Sequence, residues 1–236
     1  MDSSSPSVYK VSPLRWLILG LFSVNNASNA FLWISFSPIV VTTATAFQVS
    51  QAAINWLSLV FLVLFFPGTL LTSFSIDRYG TRWTLIIASL LNCAGAWLRY
   101  IGLVSNLPHS GGFAIALVGQ SLASLAQPTF TNMPARLSSD WFPAKERDTG
   151  TVIAALSNAL GTAAASVVPS LVVSTPGDLP ALLLGQAIAT SVIFLMTAMG
   201  VRSDGPPSPP SAPVPSPLAC YFPCVVFCVV LVKEFA

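Results

Sequence analysis

Long apolar stretches follow one another along this 236-residue chain, separated only by short polar breaks. A helix that crosses the hydrocarbon core needs about 20 apolar residues. We read six such spans: Leu14–Val41, Ile54–Phe74, Trp83–Val104, Phe113–Met133, Thr151–Val173 and Leu179–Val201. Membrane β-strands would instead alternate in polarity over segments of about ten residues. The expected fold is therefore an all-α membrane protein, a six-helix transmembrane bundle. The charge count agrees: 8% of residues are charged, against about 25% in soluble domains. So few charges cannot cover a soluble globule, and the lipid bilayer is the solvent. A net charge of +2 also excludes a nucleic-acid partner, whose phosphates demand clustered lysine and arginine.

The placement of the charges orients the bundle. Lys10 and Arg15 stand before or at the start of span one, and Arg78 and Arg82 between spans two and three. Arg136, Lys145 and Arg147 fall between spans four and five, and Arg202 follows span six. The alternate connections, 42–53, 105–112 and 174–178, hold no lysine or arginine. By the positive-inside rule both ends of the six-span unit are expected in the cytoplasm. Whether the membrane is the plasma membrane or an internal one stays open.

Four parts are expected along the chain: a cytoplasmic tail at 1–13, the transmembrane unit at 14–202, a Pro-rich cytoplasmic linker at 203–217 and a short apolar tail at 218–236. Seven of the fifteen linker residues are proline, which reads as an extended spacer or, alternatively, a ligand for a proline-binding module. The first apolar stretch could be a signal peptide, but it continues apolar to Val41 and five spans come after it. Cys93 reads as a small apolar packer. Cys220, Cys224 and Cys228 repeat every four residues, as apolar filling or as palmitoylation sites. No metal-binding pattern accompanies them. Neither a phosphate-binding glycine loop, nor a nucleophile elbow, nor a catalytic carboxylate pair is found, so no enzyme and no cofactor is expected.

Polar side chains inside spans are costly unless they pair or line a cavity. Asn29, Gln120, Gln127, Asn132 and Asn158 fall in spans one, four and five, and Trp33 and Trp56 add aromatic faces. Such groups can converge on a midplane solute site, where a tryptophan face suits a quaternary ammonium head. They can equally glue helices together or mark the interface. Arg99 lies about 24 Å into span three by helical rise and is expected to snorkel to the outer interface; attraction of an anionic solute is the alternative. His109 reads as a solvated loop residue rather than a proton relay. Ala154, Ala155, Gly161 and 163–165 read as close-packing positions.

The sharpest local pattern is Asp77-Arg78-Tyr79-Gly80-Thr81-Arg82. Gly80 allows a tight turn with positive φ, and Asp77 can pair with an arginine or face a helix N-terminus. Such a charged latch can hold one conformational state and release another.

In spacing and position this pattern resembles the loop between the second and third helices of the major facilitator superfamily, with Ser73 where that family usually has glycine. Further segments narrow the resemblance. They are Asn29-Ala30-Phe31-Leu32-Trp33, Ile54-Asn55-Trp56-Leu57-Ser58, Leu91-Asn92-Cys93-Ala94-Gly95-Ala96-Trp97, Gly119-Gln120, Ala126-Gln127, Met133-Pro134-Ala135-Arg136 and Trp141-Phe142. Together, over about residues 14–205, they resemble the feline leukaemia virus subgroup C receptor-related transporters, solute carrier family 49.

The resemblance implies half of a facilitator fold, with the solute held between two six-helix halves that rock against each other. It implies transport of a choline-like cation or a haem-like compound, with Trp33 and Gln127 contacting the solute and Asn29, Trp56 and Gln120 nearby. It assigns Asp77, Arg78, Gly80 and Arg82 to a conformational gate. Asn55 replaces an aspartate frequent in relatives, which weakens cation attraction there. The implied partner is a C-terminal six-helix half or a second chain, and the sequence is then expected to be a truncated product, a splice form or a gene-model fragment. The alternative is a non-transporting membrane protein that associates with a full carrier.

Overall fold

The computed structural model describes residues 13–105 and 109–202. The 203–217 linker, the 218–236 tail with its three cysteines, and Lys10 lie outside the described residues. The elements are α1 (Leu14–Ile34), α2 (Val40–Phe47), α3 (Gln51–Val104), α4 (His109–Asn132), α5 (Pro134–Trp141), α6 (Arg147–Val172) and α7 (Leu179–Gly200). Among the described residues there is no strand.

Five stretches are long and apolar enough to cross a membrane. The longest, the 54 residues of α3, is interrupted at Gly80, whose φ of 80° and ψ of 175° leave the helical region. Only glycine adopts that backbone readily. On the second arm, Gly95 lies against Gly119 and Gly102 against Gly112 of α4, so those two helices are antiparallel. On the first arm, Gly68 lies against Leu125 and Pro128, and the Thr72 and Thr129 hydroxyls share a hydrogen bond of 3.0 Å. That arm runs alongside α4 in the same direction. α3 is therefore a hairpin of two crossings, and six crossings result.

Two local features differ from the sequence expectation. The first span is not one helix: α1 ends at Ile34, and a 3-10 turn at Ser37–Ile39 leads into α2. Pro38 has no N–H to continue the α1 ladder. The connection between spans four and five holds a helix, α5, opened by Pro134 at its first position, where proline is favoured.

The core is stacked in three layers along the bundle. One end, called the basic end because Arg15, Arg82 and Arg147 stand there, packs Phe22, Leu85, Phe130, Trp141 and Phe142. The middle layer joins Leu32, Phe61, Ala96, Ala123 and Ala187. The far end joins Phe36, Phe47, Ile54, Leu57, Val173 and Leu179. Small residues set the helix spacing. A Cβ on Gly95 would meet the Gly119 carbonyl oxygen at 2.5 Å, and one on Gly161 would meet the backbone of Ala27. Without a hydrophobic drive between helices in lipid, such backbone approach is what association rests on.

Candidate functional site

α1 is the polar axis of the bundle. Asn25 Nδ2 donates to the Thr197 hydroxyl of α7 at 2.7 Å. One position on, Asn26 Nδ2 donates to the Ala154 carbonyl oxygen of α6 at 2.8 Å, and Asn158 Nδ2 donates back to Asn26 Oδ1 at 2.9 Å. Asn29 Nδ2 reaches Asn92 Oδ1 on α3 at 3.0 Å and the Ala123 carbonyl oxygen of α4 at 2.9 Å. Each amide thus ties α1 to a different neighbour. Asn25, Asn26 and Asn92 are not among the residues that the sequence singles out for a role. Their signal is the intramembrane amide itself, which needs a partner wherever lipid surrounds it.

One turn beyond Asn29, Arg99 and Gln120 converge where α1 ends. Arg99 is fully buried. Its guanidinium donates to the Ser35 hydroxyl at 2.7 Å and to the Leu32 carbonyl oxygen at 3.3 Å. Cζ sits 4.3 Å from the Phe36 ring centroid. Gln120 Nε2 donates to the same Leu32 oxygen at 3.4 Å. The snorkelling expected of Arg99 is therefore corrected. The C-terminus of α1 lies within reach, and its carbonyls and negative dipole end hold the cation inside the bundle.

Among the residues expected to meet solute, Asn29 and Gln120 come together on the α1–α4 seam. Both are sealed from solvent, and each keeps one buried oxygen without a hydrogen-bond partner. Trp33 is beside them, half-buried, with Nε1 donating to the Ser58 carbonyl oxygen at 3.2 Å and its ring stacked 6.2 Å from Phe61. Gln127 is seven residues past Gln120 on α4, about 10 Å along the axis. It is 8% exposed. Trp56 does not join the group; it is 57% exposed on the first arm of α3.

At the basic end, Gly80 makes the hairpin turn, and the Thr84 hydroxyl donates to its carbonyl oxygen at 2.8 Å. Asp77 and Arg78 are exposed, while Arg82 stacks over Trp83 with Cζ 5.1 Å from the ring centroid. Ser73 is buried in the seam. A second charged contact, not anticipated from sequence, stands at this end on other elements. Arg15 pairs with Glu146 at 2.9 Å and stands over the rings of Trp16 and Phe142. Arg136 pairs with Asp140 at 3.2 Å within α5.

Comparison with known proteins agrees with this architecture. Residues 22–232 match the model of the Major Facilitator Superfamily. The chain is 37% identical to Solute carrier family 49 member A3 of Danio rerio over 198 residues, which is 84% of this chain and 42% of that protein. It is 33% identical to the Choline/ethanolamine transporter FLVCR2 of Homo sapiens over 218 residues, 89% of this chain and 40% of that one. The FLVCR1 protein of Mus musculus, named with the same activity, is 31% identical over 221 residues, 85% of this chain and 38% of that protein. The chain thus spans about two fifths of the length of these relatives. With six apolar crossings, an all-α bundle and these matches, the chain is an integral multi-pass membrane protein that belongs to the major facilitator superfamily, in its solute carrier family 49 group.

Proposed function

We propose that this chain forms the N-terminal half of a carrier that moves a small organic solute across the membrane by alternating access. The observation that carries the reading is family membership together with relatives named as choline/ethanolamine transporters. A choline-like cation is the solute class favoured, and a flat haem-like compound is the other candidate. Trp33 offers a half-buried aromatic face beside neutral amides, and its ring and N–H contacts are Phe61 and the Ser58 carbonyl oxygen rather than a carboxylate. Cation attraction would then rest on the ring, at about 0.5–2 kcal/mol. Gln127 is the amide favoured for a solute, because the Asn29 and Gln120 side-chain nitrogens are engaged between helices and both residues are sealed from solvent. Asp77, Arg78, Gly80 and Arg82 would form the gate, on a cytoplasmic turn set by the alternation of basic residues. Residues 1–13 and 203–217 would then be cytoplasmic.

A second reading is favoured by the exposed apolar face of the first arm of α3, where Leu62, Val63, Phe66 and Leu70 stand. In it the chain associates with a full carrier and does not transport by itself.

Uptake of labelled choline and of haem into proteoliposomes separates the two. The first reading expects uptake when this chain is reconstituted with a C-terminal half, reduced about tenfold or more in Trp33→Ala and Gln127→Ala, since loss of a buried contact of about 1.4 kcal/mol is tenfold. Uptake unchanged in both variants sinks the site. Absence of uptake, together with co-purification with a twelve-span relative, supports the second reading.

A further inference from the structure

Away from the polar seam, a groove of about 580 Å³ opens between α1, α6 and α7. That volume is within the range of small-molecule sites. Its walls are smooth where Ala27, Gly161, Ala164 and Gly185 leave space. It extends along α7 from Ala181 to Ile193, about 18 Å at the helical rise. It runs from the middle of the bundle toward the far end, in the C-terminal halves of α1 and α6 and along α7 as far as Ile193.

One group there is unexplained by the packing. Gln186 lines the groove and is 7% exposed. Both its amide oxygen and its amide nitrogen are buried without a hydrogen-bond partner. The other polar side chains of the groove are accounted for: the Ser28 hydroxyl accepts from Asn92, and the Thr190 hydroxyl donates to the Gln186 and Ala187 carbonyl oxygens. No charged residue lines it. An amide in hydrocarbon with neither donor nor acceptor satisfied is unfavourable, and it presents a donor and an acceptor side by side. A hydroxyl group is both acceptor and donor. The remaining wall asks for a rigid or elongated apolar body without charge, which excludes phosphate and ammonium headgroups.

We propose that the α1–α6–α7 groove binds a neutral membrane lipid of the sterol class, whose single hydroxyl pairs with the Gln186 side-chain amide. The site is separate from the Trp33–Gln127 region and does not depend on solute transport.

The test uses the full chain in nanodiscs of neutral phosphatidylcholine with a photoreactive, diazirine-bearing sterol. Labelled peptides are mapped by mass spectrometry. Two variants keep the outcome readable. Gln186→Leu removes an unpartnered buried amide, so the fold should hold. Gly185→Leu fills the groove from a position where an added Cβ meets nothing within 4 Å. We expect labels on α1, α6 and α7 of the wild type. Labelling should fall about fivefold or more in Gln186→Leu, as one hydrogen-bonded pair implies, and disappear in Gly185→Leu. Added sterol should raise the thermal midpoint of the wild type and leave that of Gln186→Leu unmoved. Absence of labelling, equal labelling of wild type and both variants, labels outside these three helices, or displacement of the sterol by a phospholipid would each overturn the proposal.

Discussion

Arg99 donates to the Ser35 hydroxyl at 2.7 Å, across 64 residues of chain, and so pins the second arm of α3 to the place where α1 ends. The guanidinium fills volume and also holds the Leu32 carbonyl oxygen. Arg99→Ala removes both and leaves buried acceptors behind. It is expected to destabilise by about 3 kcal/mol or more. Arg99→Met keeps most of the volume and removes a buried charge whose desolvation was unfavourable. Its loss should stay within about 1.5 kcal/mol. Thermal unfolding in detergent distinguishes them; a Met variant as unstable as the Ala variant would refute the volume argument.

A Cβ added at Gly161 would stand 2.7 Å from the Ala27 Cα and carbonyl carbon, all of it backbone that no rotamer can move. α1 and α6 would have to separate. Gly161→Ala should therefore cost more than about 2 kcal/mol, at the upper end of overpacking. Gly20 is the control, because a Cβ there meets nothing within 4 Å. Gly20→Ala should be neutral or stabilising by up to about 1 kcal/mol from helix propensity. The two midpoints measured side by side decide it.

The solvent decides how much of this fold is legible in the sequence. Lipid forces each crossing to satisfy its own backbone, so long apolar runs declare themselves, and α4, α6 and α7 start and stop within a few residues of expectation. The break after Ile34 and the short α5 are not legible, because Pro38 and Pro134 signal an interruption without fixing the shape of the chain beyond it. The hairpin at Gly80 is legible from one glycine among charges. The partners of Asn29 and Gln120 are not, since an amide's need for a partner does not name the helix that supplies it. Arg99 is misplaced by the sequence for the same reason: position along the helix gives its depth, while the neighbouring α1 terminus decides where its charge rests.

The Gly80 turn gives a clean backbone test. At φ 80° and ψ 175°, any residue with a Cβ is strained by about 1–3 kcal/mol. Gly80→Ala should lower the midpoint accordingly. Tyr79→Ala, at an exposed neighbour, should shift stability by no more than about 0.5 kcal/mol. Equal effects at the two positions would mean the turn tolerates a side chain.

Arg15 and Glu146 form a partly exposed pair at 2.9 Å. Such pairs couple by about 0.2–1 kcal/mol and weaken with salt. A double-mutant cycle at low and high salt should return a coupling in that range that shrinks as salt rises. Arg15→Ala alone should exceed Glu146→Ala, because the arginine also covers the Trp16 and Phe142 rings.

The Asn29–Asn92 pair separates a structural amide from one that meets solute. Asn29 Nδ2 donates to Asn92 Oδ1 and to the Ala123 carbonyl oxygen, so removing Asn29 frees acceptors on two helices, while removing Asn92 leaves the Ala123 contact intact. Asn29→Ala should therefore be the more destabilising change. Interhelical hydrogen bonds in membranes average about 0.6 kcal/mol and reach about 1.7, and the coupling in an Asn29→Ala, Asn92→Ala cycle should fall between those values. The same variants report on function. If Asn29 serves packing, transport by a reconstituted carrier should fall only as far as the folded fraction does. A loss of transport in Asn29→Ala with the unfolding midpoint unchanged would instead place its unpartnered Oδ1 in the solute path.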